Sequence, residues 1–223
     1  MQEPQLVQRY FSDIAGRYDL ANRLLSGGID VFWRRATVRR VARQRPEQVL
    51  DVATGSGDLM LELEKRLPEA SVIGTDFCLP MLQQARAKGL EHLLLADGMR
   101  LPFAAGRFDA LTIAFGLRNM ESYPGAAAEF RRVLRPGGRL FVLDFSMPTG
   151  VFSKPYRVYL HRVLPKFAGW LTGKPEAYEY LGDSIESFPN GDKMCDLLRK
   201  AGFSEAHAKP MTLGIVSLYE AVN

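Results

Sequence analysis

The segment Asp51-Val52-Ala53-Thr54-Gly55-Ser56-Gly57-Asp58 carries the first chemical signal in this chain. Two glycines one residue apart let backbone approach a ligand closely. Asp76 follows about 20 positions on, where a carboxylate can reach ribose hydroxyls. A dinucleotide site wants a third glycine, but Met60 stands in that place. It also wants a bare helix N-terminus for a diphosphate, and Asp58 sets a carboxylate there. A nucleoside ligand with a ribose, a positive sulfur and no phosphate fits these residues better. S-adenosylmethionine is such a ligand. The plainer reading is a turn that merely joins strand to helix.

Further candidates lie where other apolar runs end. His92-Leu93-Leu94-Leu95 reads as a strand that stops at Ala96-Asp97-Gly98. Asp97 can accept from an adenine amino group, a charge-assisted bond worth roughly 1.5–3 kcal/mol. Its plainer reading is a solvated turn. Phe108 to Ala114 reads as another strand, ending at Phe115-Gly116. Ligands of open α/β sheets lie outside the carboxyl ends of the strands. Asp51 to Gly57, Asp76, Asp97 and Ala114 to Asn119 would therefore converge.

The elements that must position them alternate. Strands are predicted at Gln48–Leu50, Ala70–Thr75, His92–Leu95, Phe108–Ala114 and Arg139–Leu143, with a closing pair at Ala206–Lys209 and Gly214–Tyr219. Helices are predicted at Leu59–Arg66, Gly125–Leu134 and Asp192–Lys200. Strand and helix in turn imply an α/β fold with a mostly parallel, seven-stranded, Rossmann-like sheet and helices on both faces. One domain is expected over 1–223. It divides into an N-terminal helical cap (1–45), a cofactor-binding core (46–144), a helical insertion (145–189), and a C-terminal helix with closing strands (190–223). Cap and insertion are rich in aromatic residues mixed with Lys and Arg, among them Phe32, Trp33, Arg34, Phe152, Tyr156, Arg157, Phe167, Trp170 and Tyr180. That mixture suits a water–lipid interface, a lid over an apolar substrate, or ordinary packing of short helices.

Composition narrows the class. The chain has 223 residues, 47% of them apolar, and a net charge of +4, with a pI of 9.1. That mild basic excess fits an anionic membrane surface or a basic soluble enzyme. No compact basic run of the kind that tracks phosphates is present, so nucleic acid is not expected as a partner. Cys78 and Cys195 lie far apart, and His92, His161 and His207 show no ligand spacing, so no metal is expected. The start, Met1-Gln2-Glu3-Pro4, has no basic-then-apolar signal pattern, and no apolar run approaches a membrane span. A cytoplasmic protein is expected, touching the membrane's inner face peripherally. A homodimer is left open.

Three ordered blocks add a resemblance. Tyr18 to Trp33, reading YDLANRLLSGGIDVFW, resembles the first signature of the UbiE family, the C-methyltransferases of ubiquinone and menaquinone biosynthesis. Phe115-Gly116-Leu117-Arg118-Asn119 is similar to that family's F-G-[LI]-R-N block. Arg132 to Ser146, reading RVLRPGGRLFVLDFS, resembles its second signature. Ala21 stands for a usual Met, Asp30 for a usual His and Asp144 for a usual Glu. An imidazole can shuttle a proton near neutral pH and an aspartate cannot, so Asp30 reads as structural.

The resemblance implies a class I methyltransferase fold and S-adenosylmethionine as methyl donor. It implies a prenylated quinol as acceptor, demethylmenaquinol first and a polyprenyl methoxybenzoquinol as the alternative. Cofactor contacts carry over to Ser56, Asp76, Asp97, Gly98 and Ala114; Ser56 and Ala114 rest on the resemblance alone. A ring carbon attacks well only after a neighbouring hydroxyl loses its proton, so a fixed cation is wanted. Arg118 is the candidate. Asn119 would orient the same oxygen, and Tyr18 and Asp19 would receive or relay protons. Arg118 could instead tie its loop to the core in a salt bridge, and Tyr18 could be core packing.

Overall fold

The computed structural model describes residues 26–165 and 175–223, and for 175–179 the backbone alone. Seven short apolar segments form strands: β1 (Gln48–Val52), β2 (Ser71–Asp76), β3 (Leu93–Leu95), β4 (Phe108–Ala114), β5 (Leu134–Phe145), β6 (Glu205–Met211) and β7 (Val216–Val222). They lie in one sheet in the order β3-β2-β1-β4-β5-β7-β6. Strands β1 to β5 pair in parallel, while β7 runs antiparallel to β5 and β6.

Successive strand residues point to opposite faces, so both faces can be covered. Val49 joins Trp33, Met60, Leu63 and Ala85, which come from α1 (Ile29–Ala42), α2 (Asp58–Arg66) and α3 (Leu79–Ala87). Leu50 and Val52 join Phe130 and Leu198, from α4 (Tyr123–Val133) and α7 (Asp192–Lys200). The expected sheet with helices on both faces is the one observed. Helix α4 starts earlier than predicted, because Ser122 caps it and accepts from the Gly125 amide at 3.1 Å.

Strand β5 also starts earlier, at Leu134 rather than Arg139. Phe108 pairs with Leu134, and pairing resumes only at Ala110 with Arg139. Pro136 cannot donate to a ladder, and Gly137 turns with φ 74, so the segment between loops out.

Beyond β5 comes the insertion: a 3₁₀ turn (Gly150–Phe152), α5 (Ser153–Val158), a π turn (Tyr159–Val163) and α6 (Pro175–Ser187). Leu160, Leu164 and Ile185 make a small core of their own, packed against Phe145, Met147 and Tyr156. The insertion therefore sits over the carboxyl end of β5.

Candidate cofactor and acceptor site

The carboxyl ends of β1, β2 and β4 carry the glycine loop and its partners. Ala53, Gly55 and Gly57 all take positive φ, at 51, 58 and 84. A Cβ on Gly57 would lie 2.2 Å from Leu90 Cδ1, so glycine is required there for space as well as conformation. Asp76 holds the loop: its Oδ2 accepts from the Gly55 amide at 2.9 Å and its Oδ1 from the Cys78 amide at 2.8 Å. Burial raises its pKa to about 6, against the lowering pull of those amides.

Asp51 lies deeper. Its two oxygens accept from Thr54 and Thr112 hydroxyls, each at 2.6 Å, which ties the loop to β4. Burial raises its pKa to about 6 as well, with the threonines opposing. Ser56 and Gly98 are buried, while Asp97 is exposed and accepts from the Met99 amide at 2.8 Å. Ala114 closes β4.

The charges here suit a cationic nucleoside. Asp58, in the first turn of α2, faces Lys88 at 2.7 Å and Arg34 at 4.0 Å. Arg34 is paired closely with Asp30, a buried residue that also accepts from Ser26 Oγ at 2.8 Å. Asp30, Asp51, Asp58 and Asp76 thus surround the loop, with Arg34 and Lys88 already committed to carboxylates. A diphosphate would meet repulsion. A ligand with a diol for Asp76 and a sulfonium fits.

On the acceptor side, Phe115 also takes a left-handed φ, 58, and begins a 3₁₀ turn over Leu117–Asn119. A Cβ on Gly116 would stand 2.6 Å from Ala53 Cβ, so this turn packs directly on the glycine loop. Arg118 is buried. Its Nη1 donates to Asp144 Oδ1 at 2.8 Å and to the Phe115 carbonyl, and its amide donates to Asp144 Oδ2 at 3.2 Å. Its guanidinium lies 5.3 Å from the centre of the Phe145 ring. Its Nε has no hydrogen-bond partner among the described residues. The salt-bridge reading of Arg118 is therefore present in the fold.

Asn119 accepts at Oδ1 from the Tyr180 hydroxyl, 3.2 Å, and its Nδ2 donates to the Phe115 carbonyl at 3.4 Å. Tyr156 packs on the same small core as Phe145; burial pushes its phenol pKa up, and Arg118 opposes that rise. Arg34 lies 5.5 Å over the Phe115 ring, and Phe115 meets Phe145 at 4.8 Å. Tyr18 and Asp19 fall outside the described residues. Sequence reading missed the roles of Asp144, Tyr180 and Arg34 here. Asp144 stood out only as a charge-keeping replacement, and the other two only as members of aromatic and basic stretches.

A sheet in this order, with one antiparallel strand and helices on both faces, is that of a class I S-adenosylmethionine-dependent methyltransferase. A Thermotoga maritima methyltransferase structure, described as a possible histamine N-methyltransferase, superposes with TM-score 0.68 at 16% identity, covering 96% of this chain and 98% of that one. An Aquifex aeolicus methyltransferase gives 0.58 at 18% identity over 83% and 88% of the two chains. The chain belongs to the ubiE/COQ5 methyltransferase family, whose model matches residues 1–223. It is 48% identical to the demethylmenaquinone methyltransferase of Thermus thermophilus over 94% of this chain and 97% of that protein. It is 42% identical to the one of Deinococcus radiodurans over 96% and 91%. The ubiquinone/menaquinone biosynthesis C-methyltransferase UbiE of Syntrophotalea carbinolica is 45% identical over 94% and 90%.

Proposed function

We propose that the chain methylates a ring carbon of a prenylated quinol, with demethylmenaquinol as the acceptor. The observation that carries this reading is the packing of the Phe115–Asn119 turn on the glycine loop, Gly116 against Ala53, which sets Arg118 beside the cofactor loop. Relatives named for demethylmenaquinone, at 42–48% identity, favour the naphthoquinol. The UbiE name at 45% keeps a benzoquinol of ubiquinone biosynthesis as the second reading.

In this reading Asp76 would hold the ribose hydroxyls, Asp97 and Gly98 the adenine, and Gly55, Ser56 and Gly57 the remainder of the nucleoside, with Asp51 bracing the loop and Ala114 beneath it. Bound S-adenosylmethionine supplies an electrophilic methyl group on a positively charged sulfur. Arg118, as a fixed cation, would favour the quinol's phenolate form, which pushes electron density onto the ring carbon. Asn119 would fix that oxygen's direction. Tyr18 and Asp19 would take up or pass on the proton. Holding carbon and methyl at near-attack distance supplies several kcal/mol, about 7 or more in well-oriented cases.

The acceptor's prenyl tail is almost insoluble in water, so the enzyme meets it at a bilayer. No helix among the described residues is long and apolar enough to cross a membrane. We read the contact as peripheral, at the inner face, through the cap and the insertion. Incubation with S-adenosylmethionine and either reduced demethylmenaquinone or the benzoquinol, read by mass of product, tests the reading. Methylation of the naphthoquinol ring is expected. A competent, cofactor-binding preparation that methylates neither quinol would overturn it.

A further inference from the structure

Isolated exposed apolar side chains are ordinary, but a cluster of them marks a contact surface. Three segments remote in sequence meet on one edge of this fold. Trp33 Nε1, from α1, donates to Thr212 Oγ1 at 2.8 Å. Ser146 Oγ, at the start of the insertion, donates to the Gly214 carbonyl at 2.7 Å. A Cβ on Gly214 would touch Pro148 Cα at 3.4 Å. Helix α1, the insertion and the turn between β6 and β7 thus form one rim.

Each segment turns large apolar groups outward. Phe32 is exposed on α1, Val151 (83%) and Phe152 on the 3₁₀ turn of the insertion, and Leu213 (69%) on the β6–β7 turn. Val158 and Val163 extend the apolar surface along the insertion. Of the remaining exposed large apolar groups, Leu94 and Leu95 lie on β3, near the opposite edge of the sheet.

The turn itself is strained. Thr212 and Leu213 both take left-handed φ, 47 and 56, which a β-branched and a bulky residue rarely adopt. A glycine would be comfortable at 213, yet a leucine is held there facing solvent. Strain of this kind is kept where it serves a purpose.

Charge says what covers the rim. Lys154 and Arg162 are exposed among the valines of the insertion, and neither forms an ion pair among the described residues. Arg157 is paired with Glu186 at 2.6 Å and adds less. Apolar groups interspersed with unpaired cations match an anionic lipid interface. The rim also leads towards Arg118: Tyr159 stacks on Tyr156 at 6.1 Å, and Tyr156 shares the small core of Leu160, Leu164 and Ile185 with Phe145, whose ring lies 5.3 Å from the Arg118 guanidinium.

We propose that this rim docks on an anionic bilayer, with Leu213 as a wedge that the strained turn holds out. Its purpose rests on the prenylated-quinol reading, but the lipid contact can be measured without it. The full chain is co-sedimented with phosphatidylglycerol–phosphatidylcholine vesicles and with phosphatidylcholine alone, at low and high salt. Binding to the anionic vesicles that weakens with salt is expected. Leu213→Gly relieves the strain and removes the wedge, so it should bind vesicles about tenfold more weakly with an undiminished melting temperature. Val151→Ser should lose binding similarly, and Leu95→Ser, on β3, should not.

Equal vesicle binding by Leu213→Gly and the parent chain would overturn the proposal. So would a chain that ignores vesicles but forms a concentration-dependent dimer abolished by Leu213→Gly, since the rim would then seat a second copy. Methylation of a short-chain, water-soluble quinol without vesicles is assayed in parallel. Failure there alone counts against the acceptor reading, and failure of vesicle binding alone counts against the rim.

Discussion

Arg118 and Asp144 form a buried ion pair, Nη1 to Oδ1 at 2.8 Å, at the junction of the β4 turn and the end of β5. Asp144 is fully buried, and burial raises its pKa despite the cation beside it. The pair holds the turn in place and offsets much of the charge that Arg118 would bring to a phenolate. What remains is the fixed direction of the guanidinium and its N–H groups outside the pair.

Removing one partner and removing both should therefore differ. Arg118→Ala strands a buried carboxyl and should cost about 3–5 kcal/mol of stability by denaturant titration. Arg118→Met with Asp144→Leu should recover part of that, because an apolar pair needs no desolvation, while the Arg118 and Phe145 amides lose Asp144 as acceptor. Quinol turnover should stay low in the double variant. If turnover returned with stability, Arg118 would be a strut and nothing more.

Asp76 supplies a pH dependence with a definite sign. Its pKa is about 6 in the fold and 3.8 as a free side chain, so the folded chain holds the proton more tightly. Stability from this group is greatest below pH 4 and falls as pH rises to 6, by on the order of 3 kcal/mol. Ribose hydroxyls want the ionised form, so cofactor affinity should run the other way. Calorimetric titration with S-adenosylmethionine should show tighter binding from pH 5 to pH 7. Asp76→Asn should flatten that rise and weaken binding at pH 7 by about 1–3 kcal/mol. A parent profile that is flat across this range would remove Asp76 from the ribose.

The parts of this site that could be read from sequence are those fixed by local pattern. Each apolar run ends in its polar residue, so Asp51, Asp76 and Asp97 fall at strand ends in any parallel sheet of this order. Long-range partners leave no such mark. Asp144 lies 26 residues from Arg118, Thr212 lies 179 from Trp33, and Tyr180 lies 61 from Asn119. The outward Leu213 was equally hidden, because nothing in Met211-Thr212-Leu213-Gly214 announces left-handed backbone at a threonine and a leucine. Strand β5 was misjudged at its start because Pro136 and Gly137 look like a turn before a strand, whereas they loop out of one already begun.

Gly57 tests the glycine loop through both space and conformation. Gly57→Ala meets Leu90 Cδ1 and also forces φ 84 on a side-chain-bearing residue. Adding Leu90→Ala removes the worst clash, and what remains is a tight 3.2 Å approach to Ala85 Cβ and the backbone cost of about 1–2 kcal/mol. The double variant should thus fold while still binding S-adenosylmethionine more weakly than Leu90→Ala alone. Equal affinities in those two chains would mean the loop does not need this backbone conformation.

Tyr180 tests how the insertion reaches the chemistry. Its hydroxyl holds Asn119 Oδ1 at 3.2 Å, while Asn119 Nδ2 is aimed at the Phe115 carbonyl at 3.4 Å. The amide is thereby pinned in one orientation by a residue of α6, outside the parallel core. Tyr180→Phe removes that tether and keeps the ring, so packing should change little and stability by about 1 kcal/mol. The partner it holds, Asn119, lies outside the glycine loop, so cofactor affinity should hold within about twofold, a change under 0.5 kcal/mol. If Asn119 orients the quinol oxygen, kcat should fall about tenfold, since an interaction made mainly in the transition state lowers kcat rather than raising KM. Asn119→Ala in the same background should add little, because the two act as one unit. Two independent losses that simply add would show that Tyr180 and Asn119 serve separate purposes, and the tether would then be packing alone.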